Sequence, residues 1–167
     1  MSVPRCKQFI SKCDNEFSLC SEVGEKGFVG VEHPQQRRSL YQYILSGQLT
    51  FNTIGEEGVK IHSSISSDRY SLLNVKEFLY KYAVVRADTD FSVVGFNTLD
   101  RNVDWDGKIV KESFVCDNDK SYLVCFDGNP IINEKELRRL DYAKLQQGKS
   151  YDIDLKDGII GVFTKLC

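Results

Sequence analysis

The residues of this chain whose types and spacing could do chemistry are His33, Gln35, Arg37, Tyr41 and Tyr43, with His62 further on. Imidazole is a metal ligand and a proton carrier near neutral pH, so a histidine pair raises metal or acid–base chemistry first. The chain has only 2 histidines, which rules out a three-histidine centre. A metal would need Gln35 and a carboxylate such as Glu32 beside His33 and His62. That reduced site is the lesser reading: the expectation is no metal and no other cofactor. Arg37 carries a planar fork that clamps a carboxylate or phosphate, and the tyrosine hydroxyls can orient a hydroxylated ligand. The plain structural alternative makes His33 a strand end before Pro34 and His62 a half-exposed strand residue, with Tyr41 and Tyr43 packing a core. These six residues form the candidate ligand-binding set; no catalytic residue is assigned.

Other constellations are weaker. The chain has no Gly-x-Gly-x-x-Gly and no P-loop, and Gly55-Glu56-Glu57-Gly58 puts carboxylates where a phosphate would sit. His62-Ser63-Ser64 sets a base beside hydroxyls, but neighbours on a strand point to opposite faces, and no nucleophile elbow accompanies them. Asp100, Asp104 and Asp106 lack the glycine and distal glutamate of a calcium loop. None of the 6 cysteines forms Cys-x-x-Cys. Cys6, Cys13 and Cys20 recur at a heptad interval, which one helix face would explain, but small buried hydrophobes explain it better. Free thiols in a reducing cytoplasm are expected.

The elements that must position these residues read as strands. In Leu40–Asn52 (LYQYILSGQLTFN), two tyrosine-rich and β-branched runs are broken at Ser46-Gly47, which predicts a hairpin. Tyr82–Arg86 and Phe91–Phe96 predict a second hairpin, and Tyr151–Leu155 and Ile159–Lys165 a third. Leu137–Leu145 has helix propensity. Ser121–Asn133 (SYLVCFDGNPIIN) echoes the first stretch, matching Tyr122 to Tyr41, Gly128 to Gly47 and Asn133 to Asn52. Lys76-Glu77 and Lys135-Glu136 continue the match in order, as do Asp90–Phe96 and Asp157–Phe163. The expected organisation is an extension over 1–27, a first half over 28–98, a connector over 99–109 and a second half over 110–167. Trp105 is expected to pack across the two halves.

Composition narrows the function classes. With 41% hydrophobic and 28% charged residues the chain can build a core. A net charge of -2 and a pI near 5.7 argue against nucleic acid and anionic membranes as partners. No run approaches the ~20 apolar residues of a membrane span, and the N-terminus lacks the apolar core of a secretory signal. A cytoplasmic location is expected.

The second half runs from a strand into Phe126-Asp127-Gly128-Asn129 and the short strand Ile131-Ile132. Leu140-Asp141-Tyr142-Ala143 follows, then Gln147-Gly148 and two closing strands. This order resembles the cupin superfamily over residues 28–98 and 110–166. The resemblance implies an all-β fold of cupin-like jelly-roll β-barrels in two tandem halves, a small bicupin of pirin-like or HutD/Ves-like architecture. A metal-binding cupin carries Gly-x5-His-x-His-x3/4-Glu-x6-Gly. With Gly47 as the closing glycine, Leu40 stands where the glutamate belongs, and the histidine pair falls on His33 and Gln35, or on Pro34 and Gln36. The expected function is therefore a metal-free binding or regulatory protein for a small polar ligand or a protein partner. A cupin-type isomerase, lyase or oxygenase with a reduced metal site stays open, as does a structural jelly roll. Exposed sheet edges would admit a homodimer.

Overall fold

In the computed structural model, alternating apolar residues broken by glycine turns yield strands and, among the described residues, no helix. The structure describes residues 5–32, 39–55, 58–66, 73–74, 82–100 and 102–166. No helix among them is long and apolar enough to cross a membrane. The chain divides into two compact units, residues 1–100 and 101–167.

The first unit contains β1 (Cys6–Cys13), β2 (Phe17–Gly24), β3 (Val29–Glu32), β4 (Ser39–Ser46), β5 (Gln48–Gly55), β6 (Gly58–Ser66), β7 (Leu73–Asn74), β8 (Tyr82–Ala87) and β9 (Phe91–Thr98). They form two antiparallel sheets, ordered β1-β2-β9-β4-β7 and β3-β8-β5-β6. Residues read as an extension thus supply β1 and β2, because Phe17 and Leu19 find full burial only against the length of β9. Cys6 and Cys20 lie on these two strands, so the heptad interval is not a helix face.

Two of the expected hairpins are corners instead. β4 and β5 follow one another through Gly47 but belong to different sheets, as do β8 and β9. Gly47 has φ +91°, and a Cβ there would lie 2.4 Å from the Asp90 carbonyl oxygen. Only glycine fits that crossing of two chain corners. Ile44, Leu49, Ala87, Phe91 and Val93 pack between the two sheets, joined by Cys6, Phe28 and Val85.

The second unit contains β10 (Trp105–Val110), β11 (Phe114–Val115), β12 (Ser121–Asp127), β13 (Ile131–Ile132), β14 (Lys135–Glu136), β15 (Tyr142–Lys144), β16 (Ser150–Tyr151), β17 (Ile153–Asp154) and β18 (Ile159–Lys165). Its main sheet is ordered β10-β18-β12-β15, beside a β11-β16 pair and a β14-β13-β17 sheet. β17 and β18 lie in different sheets, so the third expected hairpin is also a corner. The span expected to connect the halves carries β10. Trp105 packs on Tyr122 of its own unit, ring centroids 6.0 Å apart. Leu137–Leu145 is not helical: Leu137, Leu140 and Leu145 are buried, and Leu140 takes a left-handed φ of +66° that no α-helix admits. Val110, Leu123, Cys125, Ile160 and Val162 fill the inner face, closed by Leu137, Leu145 and Tyr151.

Candidate functional site

Register on β4 decides which sequence candidates can act together. Tyr41 stands opposite Phe96 and Tyr43 opposite Val94, while Gln42 stands opposite Gly95 and Ile44 opposite Val93. Side chains alternate along a strand, so the two tyrosines share one face with Phe96 and Val94. Gln42 shares the other with Ile44 and Val93. Tyr41 and Tyr43 are each 5% exposed. Phe17 and Phe96 stack at 4.8 Å on that same tyrosine face. The structure therefore brings the two tyrosines together as core residues.

The face behind them carries a polar layer. Ser18, Cys20, Gln42 and Asn97 are all buried there, next to the apolar cluster of Ile44, Phe91 and Val93. Cys20 and Gln42 flank Gly95 in one row, and the glycine puts no side chain between them. Asn97 stands one row on, opposite Ser18, and donates its Nδ2–H to the Cys20 sulfur at 3.1 Å. Burying such groups is costly unless their hydrogen bonds are made. An amide offers two donors and an acceptor, a hydroxyl one donor and two acceptors, and a thiol only weak versions of both. This set can bind and orient a polar molecule through neutral groups. It holds no general base.

Thiol chemistry is also suppressed. Burial pushes Cys6 up to about 11, with the Glu22 carboxylate adding to the effect. Burial pushes Cys125 up to about 12; the carboxylates of Asp141 and Asp127 raise it further, against a backbone hydrogen bond at Asp127 and the charge of Arg139. Both thiols are protonated at neutral pH and are poor nucleophiles. Cys6, Cys20, Cys116 and Cys125 are free cysteines, as the composition led one to expect. Among the described residues no three His, Cys, Asp or Glu side chains gather as a metal would require.

Of the other sequence candidates, His33, Gln35 and Arg37 lie outside the described residues. The His62 backbone lies on β6 opposite Phe51, which is paired in turn with Val85 of β8. Ser18, Cys20, Gln42 and Asn97 escaped the sequence reading. Their signal was a polar residue at alternate positions within strongly apolar strands, as in Tyr41-Gln42-Tyr43 and Phe96-Asn97-Thr98.

The second unit has no matching layer among its described residues. Its inner face is apolar, and its buried polar residue Ser121 is satisfied by Thr164, Oγ to Oγ1 2.7 Å. Its Arg139–Asp127 ion pair, at 2.8 Å, lies in solvent.

No protein-family model matches the sequence, and no curated protein matches it. Solved structures do. The structure of HutD from Pseudomonas fluorescens SBW25 superposes with TM-score 0.59 at 10% identity, covering 95% of this chain and 86% of that one. A conserved protein of unknown function from Pseudomonas aeruginosa PAO1 gives TM-score 0.60 at 8% identity, covering 99% of this chain and 100% of the other. A Cupin 2 conserved barrel domain protein from Leptotrichia buccalis is more distant, at TM-score 0.48 and 10% identity, over 97% of this chain and 88% of that one. At such identities what is shared is a fold.

Proposed function

We propose that this chain, which has the cupin-superfamily fold, is a binding or regulatory protein whose first unit holds a small, neutral, polar ligand without a metal. One observation carries the reading. Ser18, Cys20, Gln42 and Asn97 are buried together on the sheet face that also carries the apolar cluster, whereas the inner face of the second unit is apolar. Buried amides and a hydroxyl favour hydroxyls and amides as partners over ions, since they offer hydrogen bonds but no counter-charge of their own. The 2 histidines of the chain also fall short of a cupin metal centre.

The test is a titration of the untagged protein with a panel of neutral polyols, sugars and primary amides, followed by NMR of the Gln42 and Asn97 side-chain amides. Binding should move both signals and raise the melting temperature, and Gln42→Leu should abolish the effect. A panel that leaves both signals unmoved sinks the reading. So does near-stoichiometric iron, manganese, nickel or zinc that is lost in His33→Ala and His62→Ala.

A further inference from the structure

One sheet edge of the second unit is open. β10 is the outer strand of the main sheet, and among the described residues it pairs only with β18. The Leu166 N–H bonds the Asp104 carbonyl across this ladder at 2.8 Å, continuing the register of Trp105 opposite Lys165. Backbone groups alternate along an antiparallel pair. Asp106 and Lys108 therefore turn theirs toward β18, and Gly107 and Ile109 turn theirs away from the sheet. Among the described residues nothing meets those outward groups. Such a row is a template for another strand.

Sheet edges are often guarded by a bulge or a lysine. β1, the outer strand of the first unit's five-stranded sheet, has a bulge between Ile10 and Lys12. β10 runs 6 residues without one, and its lysine has a carboxylate beside it. Asp106 and Lys108 are exposed, share one face of the strand, and enter no ion pair among the described residues. A second β10, antiparallel about a two-fold axis through Gly107, sets Asp106 of each copy opposite Lys108 of the other. The outward groups of Gly107 then meet those of its own copy. The two charged pairs fall between hydrogen-bonded positions, where facing side chains come closest. Neighbouring registers fail, because like charges face each other there. An axis through Ile109 sets Asp106 against Glu112, and one through Trp105 sets it against Asp104.

We propose that two copies of this chain join edge to edge through β10 as a two-fold homodimer, registered by the Asp106–Lys108 pairs. The two four-stranded sheets become one continuous sheet. This interface is separate from the buried polar layer of the first unit and does not rest on it.

The test is sedimentation of the untagged full chain at low salt over a wide range of protein concentration. The wild type should pass from 19.1 kDa to twice that mass as concentration rises. Lys108→Glu and Asp106→Lys each set like charges opposite one another, and each should weaken self-association about tenfold or more. Mixed in equal amounts, the two variants should associate with each other as tightly as the wild type does with itself, which misfolded chains would not do. A wild type that stays at 19.1 kDa throughout overturns the proposal. So does self-association unchanged in both variants, or a mixture that associates no better than either variant alone.

Discussion

Asn97 donates its side-chain N–H to the sulfur of Cys20 across β2 and β9 at 3.1 Å, with both residues buried. Sulfur is a weak acceptor, so this is a modest bond at a place where an unmade one is costly. Cys20→Ala removes the acceptor and should destabilise the chain by about 1–3 kcal/mol. Cys20→Ser restores an acceptor and should cost less. Urea unfolding separates the two; equal losses would mean that packing volume, not the hydrogen bond, is what Cys20 supplies.

Gly24 is held by the ring it faces. An alanine Cβ would sit 2.2 Å from both Cε1 and Cζ of Phe91, a core residue that is 5% exposed. Gly24→Ala should therefore cost about 1–3 kcal/mol through forced repacking. In a Phe91→Leu background the same change should cost clearly less. A double-mutant cycle with no coupling energy between the two sites would contradict this.

The buried thiols set a direction for stability at alkaline pH. Cys6 and Cys125 stand at about 11 and about 12 in the fold, against an ordinary 9.0. Above pH 9 the unfolded chain releases these protons while the folded one keeps them. The stability they contribute is thus complete below pH 9 and is lost as pH rises through 11 and 12. Melting temperatures from pH 8 to 11 should fall, and less steeply in Cys125→Ala. Identical slopes for variant and wild type would remove Cys125 from the account.

The Arg139–Asp127 ion pair tests the opposite case. Its 2.8 Å contact looks strong, yet the side chains are 52% and 42% exposed. Water screens such pairs, and Arg139→Gln should change stability by less than ~1 kcal/mol. A loss above ~2 kcal/mol in thermal or urea unfolding would show that the pair anchors the β12 corner.

By itself the sequence determined the all-β class and the position of most strand breaks. β-Branched and aromatic runs have few other stable uses, and left-handed turns need glycines such as Gly47 and Gly128, whose φ angles are +91° and +73°. It also matched Tyr41 to Tyr122 and Phe96 to Phe163, residues that stand opposite one another as Tyr41–Phe96 and Tyr122–Phe163. What it left open was pairing. A glycine break between two apolar runs looks the same whether the second run folds back on the first or crosses to the other sheet. Only the tertiary structure made Gly47 a corner, by joining β4 to β9 and β5 to β8. The buried layer depended on the same choice. Gln42 and Asn97 are far apart in the chain, and neither reads as a site residue until the β4–β9 register puts both on one face. The physical reason is that local preference fixes a strand and the direction of its side chains. Which strand lies beside it is decided by how much apolar surface the whole assembly removes from water.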